Sequence, residues 1–334
     1  MQTRSHVPEH HDRIVSTLVR GLSDTVGAAA AIVLAARFLE AEEADVLWDE
    51  ASQKLYVASA YWTSSGAASS SPSNWARLYR YSYNSSSKRY TLDSGFPVTV
   101  SKGRSETITL TKDFTGTLWV TYVEDRKVML NHSRNGNDAD WGAPYALPGA
   151  SSVSSDDISS MISFGDRVGV MWSNQSTKIM YFAVHQATDA NDLNWQITNA
   201  YNPGGSGADD HINLKALQND SAGVVFAVTK TSFSGTDPLI NLLVCRTFPC
   251  TSASQWQAHM IYTGRDDDTR PILEIDTNSR KLHVFTANTG SAGEIAYKST
   301  SLDNIQFASG NGELIIKNSS DLKINNPTST KQHV

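Results

Sequence analysis

The chain has 334 residues, of which 40% are hydrophobic and 19% are charged, so it can bury a large core. Its formal net charge of −6 argues against nucleic-acid binding, which would require a basic face. No apolar run reaches the ~18 residues that a membrane-spanning helix needs, and we expect no such span.

The first 43 residues have a helical rather than a strand pattern. Ile14, Leu18 and Leu22 are spaced to lie on one helix face, and an alanine-rich apolar stretch follows from Thr25 to Leu39. That stretch has the length of a signal-peptide core, but acidic residues dilute the basic region before it. We predict a helical or leader segment over residues 1–43 and a single domain over residues 44–334.

From residue 44 onward, one pattern recurs five times: β-type apolar runs separated by polar turns, then an aromatic residue. A repeat of this length made of strands alone is typical of a β-propeller. We predict an all-β propeller of four-stranded antiparallel blades, five complete and a partial sixth that begins at Asn325–Val334. The second strand of each complete blade starts near Leu55, Leu118, Val168, Val224 and Leu282.

Each repeat closes with an aromatic side chain, for which we predict a structural role. Large rings wedged between neighbouring blades bury much apolar area at low entropic cost. Stacking on a ligand is the alternative. The five residues are Tyr90, Trp141, Trp195, Trp256 and Phe307.

The two cysteines, Cys245 and Cys250, flank a turn that contains Pro249. This spacing permits a small disulfide, and two free thiols are the alternative. One Cys-x4-Cys pair without a histidine doublet does not predict zinc. Ser-, Thr- and Asn-rich loops, with a sequon at Asn174, favour a secreted or extracellular protein.

The loops that lead into the innermost strands are the predicted functional region, because they meet around the axis of a propeller. Carboxylates, cations and one histidine would converge there, which suits an anionic or polyhydroxylated ligand. Lys215 follows His211 by four positions and so lies on the same side of its strand. The candidate catalytic residues are His211, Arg270, Asp210 and Asp157; the candidate ligand-binding residues are Glu106, Arg104, Lys215, Asp268 and Asn326.

Each of these aspartates has a structural alternative, because Asp in a turn commonly caps the backbone of its own loop. We expect no cofactor and no metal among the site residues. The acidic run Asp266–Asp268 offers calcium ligands, but without the spacing of a recognised loop.

Two segments, Ser133–Trp141 and Ser299–Phe307, resemble the Asp-box or BNR repeats of sialidase-like propellers. At the level of fold the resemblance covers residues 44–334, and it implies a propeller that handles carbohydrate. A working sialidase of that family would carry an early Arg-Ile-Pro segment and three arginines around a carboxylate. This chain has Arg270-Pro-Ile272, in the wrong order and late, so the arginine triad does not carry over.

A second segment, Asp209–Asn213, resembles the His-Asn segment of BNR-type propellers found in some polysaccharide lyases. The resemblance implies that His211 removes a proton while Arg270 or Lys215 neutralises a uronate carboxylate. Three hypotheses remain open: a glycan-binding propeller, a polysaccharide lyase or glycoside hydrolase (sialidase-like exo-glycosidase), and an inert scaffold or protein-interaction propeller. We expect a monomer in each case.

Overall fold

The computed structural model describes residues 43–60, 75–103, 105–218, 220–288 and 294–317, together with residues 327, 329 and 331. These residues form five antiparallel blades, which confirms the predicted all-β propeller. Residues 1–42 and most of the predicted partial sixth blade lie outside the described residues. No helix in the described ranges has the length and apolar character needed to cross a membrane.

The blades follow one another along the chain, and the first strand of each is the innermost. Blade 1 contains β1 (Glu43–Asp49), β2 (Lys54–Ala60) and β3 (Ala76–Asn84), with its outer position shared by β4 (Arg89–Leu92) and β5 (Val98–Ser101). Blade 2 contains β6 (Thr109–Lys112), β7 (Leu118–Glu124) and β8 (Lys127–Arg134), with its outer position shared by β9 (Asn137–Trp141) and β10 (Tyr145–Ser151).

The remaining blades have four strands each. Blade 3 contains β11 (Ser159–Phe164), β12 (Arg167–Asn174), β13 (Ile179–Gln186) and β14 (Gln196–Tyr201). Blade 4 contains β15 (Ile212–Ala216), β16 (Val225–Lys230), β17 (Pro238–Cys245) and β18 (Trp256–Thr263), the last preceded by a 3-10 turn at Ala253–Gln255. Blade 5 contains β19 (Asp268–Asp276), β20 (Lys281–Asn288), β21 (Glu294–Ser301) and β22 (Glu313–Lys317).

Apolar cores join successive blades from blade 1 to blade 5. Four of the predicted closing aromatics pack on the core between their own blade and the preceding one, so their structural role is confirmed. They are Trp141, Trp195, Trp256 and Phe307. The fifth, Tyr90, packs on a cluster formed within blade 1. Cys245 and Cys250 form a disulfide at the end of β17, which decides between the two alternatives left by the sequence.

Neighbouring innermost strands are tied together by side chains at the axis. A polar side chain of one strand accepts a hydrogen bond from a backbone N–H of the next strand. This N–H points to the open edge of its sheet, where no neighbouring strand supplies a partner. These bonds fix the relative heights of the innermost strands of blades 1, 2 and 3, and those of blades 4 and 5. The pairs are Asp45 with Leu110 (2.8 Å), Thr109 with Met161, Thr111 with Ser163, and Asn213 with Leu273 (3.1 Å each).

Candidate functional site

A cavity of about 230 Å³ lies at the axis where the innermost strands begin. Residues from every blade line it, and none of the described lining residues is Phe, Tyr or Trp. Four of the predicted site residues meet there: Glu106, Asp210, His211 and Arg270. Residues that the sequence analysis did not single out also line it, including Asp45, Thr109, Asn213 and Lys331.

Arg270 enters the cavity from a β-bulge in β19. Arg270 and Pro271 together stand opposite Thr286 of β20, and the backbone of Arg270 is left-handed, with φ 51°. Non-glycine residues rarely adopt this conformation. The side chain is exposed, and within the described part of the chain its guanidinium takes part in no hydrogen bond or ion pair.

His211 is held at both ring nitrogens. Its Nδ1 lies 2.6 Å from Asp210 Oδ1 and 3.2 Å from Asp209 Oδ1. Its Nε2 lies 3.5 Å from the Thr269 hydroxyl, at the start of β19. Burial lowers the pKa of His211, but the hydrogen bonds to Asp209 and Asp210 outweigh it and the net pKa is raised. The ring therefore favours the imidazolium form and links blade 4 to blade 5.

The two carboxylates beside His211 have different environments. Asp209 also accepts hydrogen bonds from Lys230 Nζ and Ser232 Oγ, both at 3.0 Å. Burial opposes ionisation of Asp209, but these partners and His211 bring its pKa below the usual range, whereas burial raises the pKa of Asp210. The structure thus pairs an ionised carboxylate with a neighbour that is a weaker acid.

A metal ion is poorly served by this cluster. A metal site needs at least three potential ligand atoms close together. Among the described residues, one group has three such atoms within 4.8 Å of one another: Asp209, Asp210 and His211. Lys230 and the imidazole already occupy those carboxylates. The Asp266–Asp268 run does not form such a group, because Asp266 accepts from Thr263 N at 2.7 Å while Asp268 turns inward.

Lys215 lies deeper along the axis than the cavity. It is fully buried, and its Nζ lies 3.0 Å from Glu274 Oε2 of blade 5. Burial lowers the pKa of Lys215 and raises that of Glu274. The predicted ligand-binding residue is therefore engaged in a pair between blades, with a partner that the sequence analysis did not identify.

Asp157 and Asp268 also lie away from the cavity. Asp157 is 2% exposed and accepts a hydrogen bond from Ser154 N of its own loop at 2.5 Å, which is the capping alternative stated above, and further bonds from Ser173 Oγ at 3.1 Å and Gln175 N at 3.0 Å. Asp268 is 0% exposed and accepts a hydrogen bond from Thr286 Oγ1 at 2.7 Å. Its Oδ2 has no partner among the described residues, and burial raises the pKa of Asp268 to about 7. Arg104 and Asn326 lie outside the described residues.

The C-terminal segment adds a cation to the cavity wall. Lys331 Nζ lies 3.0 Å from Asp45 Oδ2, and Ser329 Oγ donates to the Leu273 carbonyl at 3.4 Å. Asp45 could have been found from the sequence by aligning the repeats, because it occupies the innermost-strand position of Thr109 and Asn213. Lys331 carried no comparable signal.

Comparison with solved structures finds a protein of similar fold with a TM-score above 0.5, and others below it. An arginine-to-alanine triple mutant of AofleA from Arthrobotrys oligospora matches with a TM-score of 0.51 and 11% identity, over 82% of this chain and 72% of that one. An α-L-arabinofuranosidase from Lactobacillus brevis matches with a TM-score of 0.47 and 10% identity, over 81% of this chain and 94% of that one. The catalytic domain of an α-L-arabinofuranosidase from Coprinopsis cinerea matches with a TM-score of 0.47 and 10% identity, over 73% of this chain and 83% of that one. At such identities the similarity concerns the fold alone. No protein-family model and no curated protein matches the chain.

Proposed function

We propose that the cavity at the mouth binds an acidic sugar residue of a glycan. The observation that carries the proposal is Arg270, whose guanidinium has no described partner and whose residue lines the cavity from a left-handed bulge. A guanidinium presents a rigid set of donors that matches a carboxylate, and charge-assisted bonds of this kind are strong. A strained backbone at such a side chain is typical of a functional site.

The other walls favour a ligand rich in hydroxyl groups. Glu106 and Asn213 bring a carboxylate and an amide group to the cavity, and groups of both kinds form hydrogen bonds with sugar hydroxyls. The volume of about 230 Å³ is below the roughly 300–1,000 Å³ of drug-sized pockets, and so suits a single sugar ring. Without an aromatic platform in the described lining, recognition would depend on hydrogen bonds and charge.

Glycoside hydrolysis is the second candidate, and the environment of Asp210 favours it. A hydrolase needs one carboxyl group that keeps its proton and a second carboxylate across the bond. Burial raises the pKa of Asp210, and Glu106 and Asp45 line the same cavity from other blades. The lyase hypothesis receives less support, because both ring nitrogens of His211 already contact neighbouring side chains.

The binding proposal is tested by calorimetry with glucuronate, galacturonate and N-acetylneuraminate beside glucose and galactose. Arg270→Ala should weaken binding of the acidic sugar by about 30-fold, because a charge-assisted contact worth about 2 kcal/mol is lost. The matched control is Arg265→Ala, which removes an exposed arginine from the turn before β19 that does not line the cavity. Equal binding of neutral sugars, or no effect of Arg270→Ala, would refute the proposal.

Catalysis is tested on the same panel as polymers and glycosides, by reducing-end release and by absorbance of unsaturated uronate products. In a hydrolase, Asp210→Asn should lower turnover by roughly 10² or more while binding persists. If no substrate is cleaved and binding is retained, the protein is a binding module.

The disulfide supports a further proposal that the protein is secreted, since disulfides persist in oxidising compartments. Mass spectrometry of the protein from culture medium and from cell lysate, with alkylation before reduction, tests this. Recovery only from the lysate with free thiols at Cys245 and Cys250 would contradict it.

A further inference from the structure

The bulge in β19 needs external support. A non-glycine residue in the left-handed region is strained, and Arg270 is followed by proline, which restricts its backbone further. An exposed side chain on such a backbone cannot supply that support by its own packing. The contacts must come from the residues on either side.

Asp268 and Thr269, which directly precede Arg270, anchor the bulge. Asp268 is fixed within blade 5 by the hydroxyl of Thr286, the residue that stands opposite the bulge. Thr269 is 5% exposed and its hydroxyl reaches across to His211 Nε2 in blade 4, at 3.5 Å. The strand is thus held on both of its sides directly before it turns Arg270 into the cavity.

His211 is itself immobilised by the loop that precedes β15. Asp210 and Asp209 hold Nδ1, Asp209 is held by Lys230 of β16, and the Asp210 N–H donates to Asp209 Oδ1 at 2.9 Å. In the described part of the chain, none of these side chains forms a hydrogen bond or ion pair with Arg270. Their shared effect is to fix the position of Thr269.

We propose that Thr269 and His211 are positioning residues for Arg270, acting through the hydrogen bond that ties the β19 bulge to blade 4. The inference rests on the proposed function, since it assigns these residues to the acidic-sugar site. A hydroxyl group can accept from an imidazolium N–H or donate to a neutral ring nitrogen. The link therefore persists in either protonation state of His211, which distinguishes this role from that of a general base.

The first test is a mutant cycle read by glucuronate binding. Thr269→Val keeps the shape and loses the hydroxyl, and should weaken binding roughly tenfold, as expected for one hydrogen bond lost. Thr269→Ser keeps the hydroxyl and should bind within about threefold of the wild type. In an Arg270→Ala background, Thr269→Val should have no further effect. An equal loss in that background would mean that Thr269 acts independently of Arg270 and would overturn the proposal.

The second test needs no ligand. In the wild type, ¹⁵N relaxation at Arg270 should report a restrained bulge, with a backbone order parameter near 0.85. Thr269→Val and His211→Phe should lower it, while Thr269→Ser should not. An unchanged order parameter in Thr269→Val would refute the positioning role. If the wild type binds no sugar but the order parameters respond as described, the proposed function fails and the positioning role stands.

Discussion

Asp268 has the least favourable environment of the predicted site residues. Its carboxyl group is inaccessible to solvent, and one oxygen has no partner in the described part of the chain. Removing a carboxylate from water without full compensation favours the neutral acid, which is why burial raises its pKa to about 7. A residue assigned by sequence to ligand binding thus becomes a source of pH-dependent stability.

We expect stability to fall between about pH 4 and pH 7 because of Asp268. The unfolded carboxyl loses its proton near the ordinary pKa of 3.8, whereas the folded one retains it to about 7. Over that range the folded state binds more protons, so the free energy of unfolding decreases by at most about 1.4 kcal/mol per pH unit. Asp268→Asn should reduce this slope in urea unfolding measured from pH 5 to pH 8. Identical slopes would contradict the assignment.

His211 should titrate above the ordinary histidine pKa of 6.5 in the folded protein. The stabilisation from its imidazolium is complete below that value and is lost as the pH rises through the folded pKa. NMR of the ring protons measures the midpoint directly. Asp210→Asn removes one of the two carboxylates and should lower the midpoint, while Asp192→Asn, beside a different histidine, should leave it unchanged.

The turns between strands also join the blades. Asp138, directly after the turn that leads from β8 into β9, accepts hydrogen bonds from Tyr56 Oη at 2.6 Å and Arg80 Nη1 at 2.9 Å, both in blade 1. Asp192 in blade 3 likewise contacts the preceding blade, with its Oδ2 3.1 Å from Nε2 of His132 in blade 2. In both turns the tryptophan Nε1 donates to the carbonyl of the aspartate, at 2.8 Å. The repeated turn thus fixes its own ring and contacts the preceding blade.

Asp138→Ala should lower the free energy of unfolding by about 2–3 kcal/mol, because Arg80 and Tyr56 lose a shared, mostly buried partner. Denaturant unfolding with an unchanged slope measures this. Asp140→Ala is the control: it removes an exposed carboxylate two residues away, whose partner is Asn135. Equal losses in the two variants would show that the contact between blades is not the cause.

The sequence was sufficient to predict the blades and part of the site. Period-two alternation predicts the strands, and loops before innermost strands must converge, which brings Glu106, Asp210 and His211 together. The bulge at Arg270 was not predictable, because a shift of one residue depends on the partner strand. Nor was the Lys215–Glu274 pair, since 59 positions separate its members and no local pattern indicates it.

At the scale of the whole molecule, the junction between blades 5 and 1 differs from the others. In the described ranges no apolar core joins these two blades, and blade 1 forms a cluster of its own on that side. The described C-terminal residues reach both, through Ser329 to Leu273 and through Lys331 to Asp45. Lys331 therefore contributes to closing the ring as well as to the cavity wall.

Lys331→Gln should lower the free energy of unfolding by about 1–2 kcal/mol, because Asp45 would keep its mostly buried charge and lose its cation. Chemical unfolding measures the change, and Lys127→Gln, at an exposed position of β8, is the matched control. A loss no larger than that of the control would show that the ion pair does not stabilise the junction.

Four backbone amides donate hydrogen bonds to side chains of a neighbouring innermost strand, so their hydrogen exchange reports the separation of adjacent blades. The amides of Leu110, Met161, Ser163 and Leu273 donate to the neighbouring blade rather than to a sheet ladder. Each is therefore shielded from solvent deuterium only while two blades stay together, whereas ladder amides stay shielded until a blade itself opens. Comparing the exchange rates of these amides would show which of three junctions, between blades 1 and 2, 2 and 3, or 4 and 5, separates first when the propeller loosens.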